Sequence, residues 1–223
     1  MLTTKCHGTL RTLLLMLVVV MAMPMAAQTA GSKFEVGALR YEVLDATKHT
    51  VKVTYKENYL QYTDEYKKIK PAYFGQLSGV IDLTQPIMYN NINWTLTEID
   101  ERAFQLENIT EVKLPDGVTR IGMSAFYKTA SLAKINFPTS LKAIEQYAFY
   151  ESGLTEVDIP GSTAIGREAF FSCVKMTKLS IPKVTYMGYR SFHHCSMLKS
   201  VSVPVSANLG NPPDASLNGY NLC

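Results

Sequence analysis

Tryptophan occurs once, at Trp94, and cysteine four times, at Cys6, Cys173, Cys195 and Cys223. Cys6 falls in an N-terminal stretch expected to be removed on export, and the odd number that remains argues against a disulfide framework. Charge of one sign is equally scarce. The formal net charge is +3, and setting aside Lys5 and Arg11 in that same stretch leaves 20 basic against 19 acidic side chains over residues 28–223. Such a balance gives no electrostatic reason to expect nucleic acid or an anionic membrane as partner. Beyond the N-terminal stretch no apolar run is long enough to span a bilayer. There is no HExxH motif, phosphate loop or glycine-framed nucleophile, so the usual signatures of enzyme chemistry are missing and no catalytic activity is expected. The only grouping that resembles a metal site is His193-His194-Cys195. Adjacent histidines in an extended turn should point apart, so neither a metal nor any other cofactor is expected there.

Residues 1–27 read as a signal peptide. Lys5, His7 and Arg11 give a positive start, Leu13 to Met23 is apolar but short, and Ala26-Ala27 supplies small residues for cleavage. The rest of the chain is then expected to be secreted or held at the cell surface.

What the sequence has in quantity is repetition. Ala103-Phe104, Ala125-Phe126, Ala148-Phe149, Ala169-Phe170 and Ser191-Phe192 follow one another at spacings of 22, 23, 21 and 22 residues. An apolar residue and usually Gly precede each, as in Ile121-Gly122, Ile165-Gly166 and Met187-Gly188; Asp100 and Glu145 take the Gly place in the other two. Each is followed by a strand-like run ending in Pro, such as Ile135-Asn136-Phe137-Pro138 and Val157-Asp158-Ile159-Pro160. A fixed period near 22 residues is the mark of a solenoid. In each repeat the alternating apolar residues point inward from one strand, Pro ends the pairing, and a second pair such as Leu141 and Ile144 forms the opposite wall. The five Phe rings are expected to stack inside.

The preceding region has another texture. Residues 39–44 and 50–55 alternate apolar and polar around Asp45 to His49, which predicts a β-hairpin. A second hairpin is predicted across Asn90-Asn91, residues that tolerate left-handed backbone. Leu77 to Leu83 looks like a degenerate repeat strand. The region is expected to cap the first coil, which otherwise exposes an unpaired edge. Residues 56–73 carry Tyr59, Tyr62 and Tyr66 at helical spacing; they are either a short helix or loop lying on the cap, or a projecting Tyr-rich contact loop. The chain divides into a signal peptide (1–27), an N-terminal β cap with the Tyr-rich insert (28–96), the solenoid (97–209) and an irregular tail (210–223).

At Ile121-Gly122-x-x-Ala125-Phe126 followed by Leu132-x-x-Ile135-x-Phe137-Pro138, the chain resembles the BspA-like leucine-rich repeats of bacterial surface proteins. Cys173 and Cys195 match the Cys common after that family's Ala-Phe. The resemblance covers about residues 34–209 and implies a mainly β, right-handed leucine-rich-repeat solenoid of about five repeats. It also implies adhesion to host matrix or other cells, and no catalytic residues.

Two surfaces can be drawn on such a stack. On the main strand one outward column reads Glu111, Lys134, Glu156, Lys178, Ser200. Its alternating signs, about 4.8 Å apart in neighbouring coils, largely satisfy one another and argue against a charged groove. The other surface is the turn edge, where Tyr127, Tyr150, Phe171 and His193 each follow a ladder Phe. They either lean on neighbouring coils to shield the core or form a partner-binding stripe. Cys173 and Cys195 occupy the same place in successive coils, and are either two buried thiols or a disulfide. The function expected is a non-catalytic binding module for an extracellular protein or glycan. The alternative is a structural component that self-associates through its C-terminal edge.

Overall fold

Five copies of one inward-facing pattern stack their apolar residues into a single column, and the computed structural model shows how the chain closes around it. The structure describes residues 28–55 and 76–204. The predicted signal peptide, the Tyr-rich insert and the tail therefore lie outside the described residues. All regular structure within them is β.

The first wall of each coil is the strand that ends in Pro. β4 (Ser78–Asp82), β7 (Asn108–Lys113) and β9 (Lys134–Ile135) pair in parallel. β11 (Glu156–Asp158), β13 (Lys178–Ser180) and β15 (Ser200–Ser202) form a second parallel set. The break between the sets falls where Asn136 turns its side-chain amide back to the preceding coil. It accepts from the Leu114 N–H at 2.7 Å and donates to the Leu114 carbonyl at 2.9 Å, standing in for a peptide group. Val112, Leu114, Val157, Ile159, Leu179 and Ile181 are buried as their alternation requires. Ile135 is only partly buried, and Val201, in the last described coil, is exposed.

The second wall comprises β6 (Ile92–Ile99), β8 (Arg120–Ile121), β10 (Ala143–Ile144), β12 (Ala164–Ile165) and β14 (Tyr186–Met187), again parallel and in register. Its N-terminal side is extended by β3 (Thr50–Thr54), which pairs parallel to β6. β2 (Leu39–Asp45) and β1 (Lys33–Val36) then continue antiparallel. β1 is absent from the sequence reading; its four residues are too few to show a period. β5 (Ile87–Tyr89) makes the second hairpin with β6. Asn90 and Asn91 both have positive φ, 53° and 58°, the combination a two-residue hairpin turn demands.

The third side is the Ala-Phe turn. Phe104 donates its N–H to the Ala125 carbonyl at 2.8 Å, Phe126 to Ala148 at 2.7 Å, Phe149 to Ala169 at 2.7 Å and Phe170 to Ser191 at 2.8 Å. The two residues flanking each dipeptide at a distance of two from Phe, such as Tyr147 and Glu151, have positive φ. Their N–H groups also donate to the next coil, Tyr147 to Arg167 and Glu151 to Phe171. The intervening residues bond backward within the turn, Ala148 to Glu145 and Tyr150 to Tyr147. The rings stack at 5.0–5.1 Å with interplanar angles of 6–8°. Coils approach so closely that a Cβ on Gly166 would lie 2.7 Å from the backbone of Glu145 and Gln146, which is why Gly precedes the turn.

At the N-terminal end Phe34, Tyr41, Tyr89 and Trp94 pack ring on ring; Phe34 lies 4.3 Å from Tyr89 and 5.7 Å from Tyr41. Beside them Lys52 bridges Glu42 at 3.2 Å and Asp100 at 3.1 Å, and the Thr54 hydroxyl donates to Asp100 at 2.7 Å. Asp100 stands in the Gly place of the first repeat. It joins the N-terminal strands to the solenoid, a role the sequence pattern alone does not reveal.

Two predictions follow from this packing. Phe149→Ala removes a ring from mid-stack and should cost about 3–5 kcal/mol through lost transfer energy and a cavity; urea unfolding measures it. Burial pushes the Tyr41 phenol from its ordinary 10.0 up to about 12. Above pH 10.0 the unfolded chain loses this proton while the folded one keeps it, so stability falls as pH rises from 10.0 to about 12. For Lys52, burial opposes the charge, but Asp100 and Glu42 outweigh it and raise the pKa, so it adds to the same alkaline loss. Melting temperatures of Tyr41→Phe should therefore decline less steeply across that window than those of the parent, without becoming flat.

Candidate interaction site

Each residue after a ladder Phe sits on the outside of the turn, and the coil spacing that stacks the inner rings stacks these too. Tyr127 and Tyr150 lie 5.1 Å apart at 17°, and Tyr150 and Phe171 lie 4.8 Å apart at 5°. His193 continues the row, 5.5 Å from Phe171 and tilted by 47°. All four are half-buried. The rings lean on one another from coil to coil and remain partly open to solvent. Tyr147 meets Tyr150 edge-on at 5.8 Å.

His193 and His194 depart from expectation. Their rings do not point apart; the centroids are 4.0 Å from each other, and His194 also meets Phe171 at 5.3 Å. The cause is the left-handed backbone of His194, φ 60°, which swings its side chain back toward the row. Among the described residues no group of three or more His, Cys, Asp or Glu side chains could hold a metal ion.

Charges along the edge are partly paired. Lys128 reaches Glu151 at 3.6 Å and lies 5.4 Å from the Tyr127 ring centre, and Arg167 reaches Glu168 at 3.1 Å. Arg190 lies over the Tyr189 ring at 4.8 Å. On the main strand the expected register is found, Glu111 beside Lys134 and Glu156 beside Lys178. These side chains are mostly exposed, and none of the ion pairs among the described residues joins them. The stronger ionic network lies on the second wall, where Arg120 bridges Glu98 at 2.6 Å and Glu145 at 3.0 Å. Sequence reasoning missed it because Glu145 reaches back across a coil from the Gly place, also accepting from the Met123 N–H at 2.9 Å.

Cys173 and Cys195 are free, buried thiols. They act as donors as well as small apolar fillers: Cys173 reaches the Phe149 carbonyl at 3.2 Å and Cys195 the Phe170 carbonyl at 3.3 Å. In the second repeat Thr129 fills the same place and donates to the Phe126 carbonyl at 2.8 Å; in the third, Ser152 lies 3.3 Å from the Cys173 sulfur. Burial pushes the Cys173 thiol well up, which keeps it protonated. The hydrogen bond with Cys173 lowers the Cys195 thiol in turn, so the two thiols share one contact and both face turn carbonyls.

Parallel coils about a Phe column, with one short strand on each of two walls and a hydrogen-bonded turn on the third side, define a leucine-rich-repeat solenoid. Residues 97–211 match the BspA type leucine rich repeat region in 6 copies, and the chain belongs to that family. Its fold is similar to crystal structures of the T. pallidum leucine-rich-repeat protein TpLRR (24% identity, 79% of this chain and 77% of that one, TM-score 0.59). It is similar also to the pneumococcal vaccine antigen PcpA (19%, 78% and 49%, TM-score 0.55). A leucine-rich repeat protein from Bacteroides ovatus ATCC 8483 shares 22% identity over 78% of this chain and 48% of that one, TM-score 0.50. The chain spans about half the length of the latter two. At these identities the likeness concerns fold. No curated protein matches the chain.

Because the outer row is separate from the core column, its rings should matter less for folding. Tyr150→Ala removes two ring stacks worth about 0.5–1.5 kcal/mol each. Its unfolding free energy should drop clearly less than that of Phe149→Ala, and equal losses would show the row to be core.

Proposed function

We propose that this chain is a non-catalytic binding module, secreted or held at the cell surface, which contacts an extracellular protein or glycan through its turn edge, as in adhesion. The half-buried row Tyr127, Tyr150, Phe171 and His193 carries this proposal. Aromatic side chains concentrate in the buried centres of interfaces because they bring large area at small entropic cost. Family membership supports it, since a solenoid offers long faces without needing a catalytic cleft. The vaccine-antigen neighbour and the predicted signal peptide at 1–27 favour an exported location. Among the described residues no helix is long and apolar enough to cross a membrane. In this proposal residues 28–96 form the cap of a solenoid over 97–209.

A second reading rests on a separate observation. In the last described coil Val201 and Met197 are 48% and 50% exposed, and β14 and β15 each pair on one side only among the described residues. Such an edge suits assembly with another chain. Light scattering on residues 28–223 decides this: assembly requires a dimer or higher species, and a strict monomer removes it.

Capture of matrix and cell-surface proteins or glycans by residues 28–223 tests the leading proposal. The combined variant Tyr127→Ala, Tyr150→Ala, Phe171→Ala should lose most capture while keeping its β circular dichroism. Undiminished capture by the folded variant would overturn the stripe as the contact.

A further inference from the structure

Tyr150 has a ring on each face, Tyr127 at 5.1 Å and Phe171 at 4.8 Å. Phe171 has Tyr150 on one side and the two histidines, at 5.5 and 5.3 Å, on the other. Stacking uses up ring faces, so what these half-buried rings offer to solvent is their rims. The aromatic face is electron-rich and the rim electropositive. A neutral sugar ring or a cation docks on an open face; Tyr150 and Phe171 are covered by rings on both sides, and Lys128 already lies over the Tyr127 ring. A rim, with a phenol hydroxyl on it, suits an oxygen that bears negative charge. Burial, with Glu151 and Tyr127 after it, raises the Tyr150 phenol, so it stays a neutral donor.

The neighbouring charges point the same way. The two carboxylates bordering the row are engaged, Glu151 by Lys128 and Glu168 by Arg167. Arg190 is exposed and lies against Tyr189, and none of the ion pairs among the described residues involves it. Beside it stand His193 and exposed His194, 4.0 Å from each other.

We propose that the turn edge binds an acidic segment of a protein partner. Its Asp and Glu carboxylates would lie along the coil axis, anchored by Arg190 and the His193–His194 pair and continued over the rims of Phe171, Tyr150 and Tyr127. This rests on the row being the contact surface and narrows the partner to an acidic polypeptide. The charged groups facing His193 are His194, Arg190 and Glu168; burial, then His194 and Arg190, lower its pKa while Glu168 raises it. His193 is therefore largely neutral at pH 7 and gains charge on acidification, so binding strengthens as pH falls below 6.5.

The test titrates residues 28–223 with poly-L-glutamate, heparin and dextran, the last two standing for sulfated and neutral polysaccharides. Poly-L-glutamate should bind, more weakly as salt rises. Arg190→Gln should weaken it by about tenfold, the scale of one hydrogen bond to a charged group. The triple Ala variant should do the same or more, and the parent should bind more tightly at lower pH. Poly-L-glutamate that fails to bind, or binds regardless of Arg190 and the row, overturns the inference. So does preferential, row-dependent binding of heparin or dextran. If capture in the preceding assay still depends on the row while poly-L-glutamate does not bind, the contact surface stands and the acidic partner falls.

Discussion

Backbone hydrogen bonds from each turn to the next coil constrain everything else in this molecule. In the third repeat the N–H groups of Tyr147, Phe149 and Glu151 all donate onward to the fourth, and the same set recurs along the stack. Left-handed residues on either side of Ala-Phe turn the chain there while these onward bonds are kept. Nine-tenths or more of buried backbone groups are normally paired, so this turn cannot shift without stranding several of them. Its position fixes the coil spacing, and the spacing in turn sets the ring separation of the Phe column. Packing and hydrogen bonding thus enforce the same repeat length.

That one spacing has consequences on both sides of the turn. Inward, it brings Phe rings to 5.0 Å and leaves no space for a Cβ at Gly166. It also places Thr129, Cys173 and Cys195 against turn carbonyls, and Ser152 against the Cys173 sulfur. Outward, it stacks Tyr127, Tyr150 and Phe171 face to face. The geometry that stabilises the core therefore also decides which part of each outer ring a partner can meet. A surface of rims and hydroxyls is a different chemical object from one of open faces, although the residue types are the same.

Much of this was legible beforehand because a repeat magnifies weak signals. Any one Ala-Phe dipeptide means little, but five at nearly constant spacing identify the ladder, the walls and the family. The two hairpins were legible for a local reason, alternation in one and Asn-Asn in the other. Features without a repeated or local mark were not. β1 is too short to show a period. Asp100 and Glu145 looked like mere exceptions to Gly, yet each takes part in an ionic network spanning coils. The Glu111–Lys134 register was foreseen, but exposed side chains in register need not close an ion pair, since solvent competes for both charges.

Sequence by itself determined the repeat, the identity of the core rings and the place of the outer row, because each depends on periodicity and residue type. Only the tertiary structure decided how the outer row is presented. Whether neighbouring rings cover one another's faces, and whether His194 swings back against His193, depends on backbone angles and coil spacing. Those are set by hydrogen bonds between residues some 22 positions apart, as with Phe126 and Ala148. A pattern of letters carries no record of that geometry.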